Sequence, residues 1–266
     1  MDRVISKDGT SIAYERSGSG PRVILIGGNL DDGSENAPLV PALAERFTVL
    51  NYARRGRGES GDTLPYAVAR EIEDIVALID AAGAPVHLFG ASSGGALAFE
   101  ATLAGLPVER IAVYEVPYLT DEDIVQQYRA YVEQLQHALS ARRRGDALDL
   151  FMRLAGSGEE DIAAAHTSPM WPSLESLAPT LAYDAACLGD GRPPVTRLAR
   201  ITQPTLVATG GTPDPHTAGL QPGFFDAAAD VIAAHVPKAE RRVVEGQGHV
   251  ADPAVLAPVL AEFLAR

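Results

Sequence analysis

The chain has 266 residues, of which 46% are hydrophobic and 21% charged. That balance belongs to a soluble globular protein with a sizeable core, and α/β proteins reach this length as one unit. A formal net charge of −13 argues against nucleic acid as a partner and leaves a small neutral ligand open. The single cysteine, Cys187, excludes an internal disulfide. No run reaches signal-peptide or membrane-spanning length, so the expectation is a cytoplasmic protein with no membrane partner.

In chain order, Lys7-Asp8-Gly9-Thr10 separates two extended runs and reads as a hairpin turn. Val23-Ile24-Leu25-Ile26 is a continuous apolar run, the pattern of a strand buried on both faces, and it ends in Gly27-Gly28. Phe47 to Leu50 predicts the next strand. Ile72, Ile75, Val76 and Ile79 mark one face of a helix that Gly83 would close. Val86 to Phe89, Ile111 to Tyr114, Pro204 to Thr209 and Arg242 to Val244 supply further strands. Strands alternating with helices imply α/β architecture, with a mostly parallel central sheet flanked by helices.

Residues 117–199 break that rhythm with a helical pattern and no strand-like run. Thr120 to Asp123 resembles a capping box, Ile124, Tyr128, Tyr131, Leu135 and Leu139 follow at helical spacing, and Arg142-Arg143-Arg144-Gly145 reads as a helix end. The expected organisation is a core of residues 1–116 and 200–266 with a helical lid, 117–199, over the strand ends. Leu30, Met170, Trp171 and Tyr183, with Leu174 and Leu181, are the candidates for a substrate pocket. For the lid side chains the alternative is packing of the insertion onto the core.

The chemistry is carried by Gly90-Ala91-Ser92-Ser93-Gly94, a G-x-S-x-G between a predicted strand and a predicted helix. A serine at such a turn is lifted above the sheet edge, and the following N–H, that of Ser93, lies at a helix N-terminus where it can stabilise an oxyanion. A second backbone donor is expected from Gly27-Gly28-Asn29-Leu30, with Asn29 N–H the natural donor and Gly28 allowing close approach. A serine also needs a base. Of the six histidines, His87 and His137 fall in a strand and an amphipathic helix, and His166, His216 and His235 carry no motif. His249, in Glu245-Gly246-Gln247-Gly248-His249, follows the last predicted strand and precedes Asp252-Pro253, the N-cap and first residue of a terminal helix. There it can reach Ser92.

With these residues the chain resembles a lid-bearing member of the α/β-hydrolase superfamily along essentially its whole length. Arg54-Arg55-Gly56-Arg57-Gly58-Glu59-Ser60 is similar to the superfamily's Asp-x-Arg-Gly-x-Gly-x-Ser loop, with Ala53 in place of the aspartate and Gly27 in place of a common histidine. The arginines read as braces of that loop. The resemblance implies a third catalytic member, an acid on the other imidazole nitrogen, and two residues compete. Asp214 follows the penultimate strand, the commonest position. Glu115, in Glu115-Val116-Pro117, ends the strand after the elbow helix and is favoured, as in the fungal lactonases that open the zearalenone macrolactone, which this chain is similar to in its elbow and strand end.

The resulting expectation is a serine hydrolase of a carboxylic ester or lactone of a medium-sized apolar molecule, working through an acyl-enzyme. No metal-ligand spacing or dinucleotide fingerprint appears, so no cofactor and no metal are expected. A carbon–carbon bond hydrolase or biosynthetic cyclase shares the same residues, and a receptor-like binding protein shares the fold. Oligomeric state is not legible.

Overall fold

The computed structural model describes residues 1–214 and 217–266, so the His216 of the sequence reading lies outside the described residues. Its centre is an eight-stranded sheet. The strands are β1 (Asp2–Ile5), β2 (Ser11–Ser17), β3 (Arg22–Ile26), β4 (Thr48–Tyr52), β5 (Val86–Ala91), β6 (Val108–Tyr114), β7 (Thr205–Gly210) and β8 (Ala239–Val244). They lie in the order β1-β2-β4-β3-β5-β6-β7-β8, antiparallel from β1 to β4 and parallel from β4 through β8. The expected hairpin joins β1 to β2, with Thr10 carbonyl accepting from Ser6 N–H and Gly9 at φ +87°.

Successive strand residues face opposite sides of a sheet, and the apolar runs use both. Ile24, Ile26, Leu50, Leu88 and Val113 pack on one face against α2 (Val68–Ala82), α3 (Ser93–Leu103) and α10 (Phe224–His235). Val23, Leu25, Val49, Phe89 and Ala112 pack on the other against α1 (Val40–Ala44) and α11 (Pro253–Leu264). Gly83 closes α2 at φ +83°, donating to the Ile79 carbonyl.

Between β6 and β7 the chain forms α4 (Glu122–Ser140), α5 (Arg144–Leu154), α6 (Glu159–His166), α7 (Trp171–Leu177), α8 (Leu181–Leu188) and α9 (Val195–Leu198). Helices α4 to α8 share an apolar cluster that includes Leu119, Val125, Tyr131, Leu135, Leu148, Trp171 and Leu181, while Leu198 of α9 packs in the core on the sheet. Two local expectations shift. The N-cap of α4 is Asp121, whose carboxylate accepts from Asp123 and Ile124 N–H, so the start falls one residue past Thr120. Arg142, at φ +59°, takes the left-handed position that Gly145 was expected to supply, and Gly145 lies in the first turn of α5. No helix among the described residues is long and apolar enough to cross a membrane.

Candidate active site

Parallel strands place their C-terminal ends, and the loops that follow, on one edge of the sheet, which is where α/β proteins hold ligands. Ser92 stands there, between β5 and α3, at φ +51° and ψ −126°. A non-glycine residue in that region costs on the order of 1–3 kcal/mol. The turn is possible because its neighbours lack side chains: a Cβ on Gly90 would lie 2.5 Å from the Gly94 carbonyl, and one on Gly94 2.4 Å from the Ile26 carbonyl. Gly28 also lies against the serine, since its Cβ would meet that of Ser92 at 3.0 Å.

Three adjacent strand ends are tied together behind the serine. Ser92 N–H donates to the Tyr114 carbonyl (2.9 Å), and Glu115 N–H to the Ala208 carbonyl (3.0 Å). Glu115 is itself at φ +49° and almost wholly buried. One of its carboxylate oxygens accepts from Gly210 N–H at 2.8 Å, and the other meets His249 Nδ1 at 2.7 Å. An ionised carboxylate can only accept, so Nδ1 carries a proton, and in the neutral imidazole that leaves the lone pair on Nε2. Phe225 stacks on the imidazole with centroids 4.8 Å apart and 13° between planes. The Tyr114 hydroxyl donates to the Gly248 carbonyl at 2.5 Å, fixing the loop that carries the histidine.

Asp214, the other candidate acid, is buried beside the same loop, where its carboxylate accepts from Val250 N–H at 3.0 Å. The structure therefore sets Glu115 against the imidazole and Asp214 against the backbone next to it. Of the remaining described histidines, His166 pairs with Asp149 at 2.7 Å and stacks on Trp171, and His235 Nδ1 meets the Val231 carbonyl. His87 is buried in the sheet, and burial pushes its imidazole below the usual range.

Ser92, Asn29 and His249 line one cavity of about 300 Å³. Its walls are mainly apolar and come from the helical insertion and the stretch after β7: Leu119, Ile124, Tyr131, Phe151, Leu188 and Phe224 are among them. Of the side chains expected in the pocket, Leu181 lines it; Leu174, Met170, Trp171, Tyr183 and Leu30 do not. Met170 is 61% exposed. Trp171 packs within the insertion against His166. Tyr183 stacks on Tyr66 at 3.8 Å and donates to Asp62. Leu30, at φ +57°, packs on the insertion's own cluster. Each is large and apolar, and each found burial elsewhere or none; size and hydropathy do not say which way a residue faces.

Behind residues 27–30 the arginines act as braces, as the sequence suggests, and they do so against buried acids that it did not reveal. Arg54 pairs through Nε and Nη2 with Glu71, both at 2.7 Å, and donates through Nη1 to Asp184 (2.6 Å) and to the Gly27 carbonyl (3.2 Å). Arg57 donates through Nη2 to both Asp184 oxygens at 2.8 Å and through Nη1 to the Gly28 carbonyl. Ser93 Oγ completes the set, donating to Asp184 at 2.9 Å. All four charged groups are buried, two of each sign. Burial works to raise the carboxyls of Asp184 and Glu71, yet the two guanidiniums outweigh it and hold both below the usual carboxylate range. Arg55 is separate, held by Asp74 and Asp8. The signal that could have found this cluster is two additional arginines flanking the loop's usual one, which need buried acids somewhere in the chain.

In place of a side chain at position 27, the loop holds the carboxylate of Asp31. A Cβ on Gly27 would lie 1.7 Å from Asp31 Oδ2, while Oδ1 accepts from Gly33 and Glu35 N–H. Among the described residues, no group of three or more His, Cys, Asp and Glu side chains is placed to hold a metal ion.

The sequence model of the alpha/beta hydrolase family matches residues 23–259. The chain belongs to that family. A crystal structure of an alpha/beta hydrolase from Sphaerobacter thermophilus DSM 20745 is 44% identical over 99% of this chain and all of that one, with a TM-score of 0.87. An enol-lactonase from Burkholderia xenovorans LB400 shares the hydrolase fold at 20% identity and a TM-score of 0.70, each chain fully covered. A protein of Caulobacter sp. (strain K31), provisionally named carbamate hydrolase RutD, is 43% identical over 76 residues. That match spans 27% of this chain and 28% of the Caulobacter protein.

Proposed function

We propose that the protein is a serine hydrolase of uncharged carboxylic esters or lactones. The observation that carries this reading is the 2.7 Å pairing of Glu115 with His249 Nδ1, on a cavity whose lining includes both His249 and Ser92. In this scheme His249 Nε2 takes the Ser92 proton as Oγ attacks the carbonyl carbon. The negative oxygen of the tetrahedral intermediate is met by Ser93 and Asn29 N–H groups. The imidazolium, stabilised by the Glu115 carboxylate, protonates the leaving alkoxide, and a water activated by the same imidazole then releases the acid. In a lactone the leaving alkoxide stays tethered, so ring opening gives one hydroxy-acid product.

The substrate class follows from the walls. The charged cavity residue Arg153 is already paired with Glu159 at 2.6 and 2.9 Å. A charged substrate would be desolvated there without compensation. A volume of about 300 Å³ is at the small end for ligand sites, which suits a compact acyl group or lactone ring. The enol-lactonase name of one structural neighbour accords with this, and the helical insertion acts as the lid that excludes water. The test is labelling by a fluorophosphonate probe together with turnover of p-nitrophenyl butyrate. The wild type should show both and Ser92→Ala neither, with its melting temperature retained. An unlabelled, inactive wild type would instead indicate a binding protein on a hydrolase fold.

A further inference from the structure

We propose that Arg57, locked by Asp184 from the helical insertion, is a positioning residue that sets the oxyanion-binding peptide between Gly28 and Asn29. The proposal rests on the hydrolase reading above and deepens it. A trans peptide is planar, so its C=O and the following N–H point in opposite directions. Arg57 Nη1 donates to the Gly28 carbonyl from inside the protein. The other end of that same peptide unit is Asn29 N–H, which is thereby turned outward, toward the cavity that Asn29 and Ser92 share.

A flip of this peptide turns ψ of Gly28 and φ of Asn29, and both resist it little: Gly28 has no Cβ, and asparagine is among the few other residues that enter the left-handed region readily. A flipped peptide would present a carbonyl to the developing negative charge in place of a donor. The guanidinium opposes the flip by giving the carbonyl a charged partner on the buried side. Its own orientation is fixed by both Asp184 oxygens at 2.8 Å. Asp184 also accepts from Ser93 Oγ, whose residue carries the other N–H donor, and from Arg54, which donates to the Gly27 carbonyl. One carboxylate on α8 thus holds both halves of the oxyanion site. It belongs to the insertion rather than to the sheet, so the insertion contributes to the chemical step as well as to the cavity wall.

The experiment compares Arg57→Met with wild type in turnover of p-nitrophenyl butyrate and in inhibition by an alkyl trifluoromethyl ketone. The ketone's adduct with serine bears the same oxyanion as the intermediate. In Arg57→Met, Asp184 keeps Arg54 and Ser93 as partners. Loss of a working oxyanion donor costs on the order of 10²-fold in kcat. The expected result is a loss of about that size, unchanged KM, and a ketone affinity weakened by a similar factor. Asp8→Asn, which removes one partner of Arg55 in the same loop without touching Gly28, should leave the ketone affinity alone. Unchanged kcat and ketone affinity in Arg57→Met would overturn the proposal. So would an equal loss of ketone affinity in Asp8→Asn, because the effect would then be general loosening of the loop. Should Arg57→Met fail to fold, Arg57→Lys, which keeps the charge but cannot span Gly28 and Asp184 with a planar fork, is read by the same two measurements. A wild type that neither turns over the ester nor binds the ketone rejects the hydrolase reading itself; an active wild type with a normal variant rejects only the role of Arg57.

Discussion

The floor of the cavity and its walls are built on different principles. The floor is polar, comes from adjacent strand ends, and is over-determined: Ser92 and Glu115 are both held at positive φ, and His249 is fixed by a carboxylate, a ring stack and a tethered loop. The walls are apolar and assembled from helices α4, α5 and α8 and the stretch up to α10, mostly by contact alone. The contrast teaches that geometry is specified at the floor, where the proposed reaction needs it, and only volume and hydropathy at the walls.

The sharpest way to break that contrast is at the acid. Glu115→Gln should lower kcat on the order of 10⁴-fold in ester turnover, as when a triad carboxylate is replaced by its amide and the imidazole tautomer is lost. Asp214→Asn should lower it by only about tenfold, because an amide oxygen can still accept the Val250 N–H. Reversed magnitudes would transfer the acid's role to Asp214. A wall substitution should act more gently and on a different constant. Phe151→Ala removes an aromatic ring from the lining and should raise KM roughly tenfold for an apolar ester, with kcat within about twofold; a collapse of kcat would show that the walls also set reaction geometry.

The smallest expected effect is a pH signature in the buried cluster. The folded protein holds the Asp184 carboxyl below its unfolded value, so its ionisation adds stability that is complete above about pH 4 and disappears as pH falls through the lower folded value. Asp184→Asn should cost about 3 kcal/mol near pH 7, the scale for breaking a buried charge pair. The gap between variant and wild type in urea melts should narrow as pH drops below about 4. A gap independent of pH would mean that Asp184 contributes through hydrogen bonds rather than through its charge.

The sheet and the floor were largely legible because their signals are local. Continuous apolar runs gave the strands, and five consecutive residues around Ser92 contain their own steric reason. The sequence favours Glu115 over Asp214 but leaves both open, because both follow the ends of the neighbouring strands β6 and β7; in the structure the Gly210 N–H holds Glu115 against the imidazole. The walls were missed for a related reason. Met170 and Trp171 were singled out for size, whereas membership of the lining depends on which faces of separate helices converge, a long-range property. Arg57 and Asp184 are 127 positions apart, and neither carries a spacing that announces the other.

The Asp31 carboxylate beside Gly27 couples two positions of the loop. With 1.7 Å between that oxygen and a β-carbon at 27, a side chain there must displace the carboxylate, which holds the N–H groups of Gly33 and Glu35. Transplanting this loop into a relative that bears a side chain at 27 must therefore change position 31 with it, and a survey of single substitutions at 27 would miss the compensated double change.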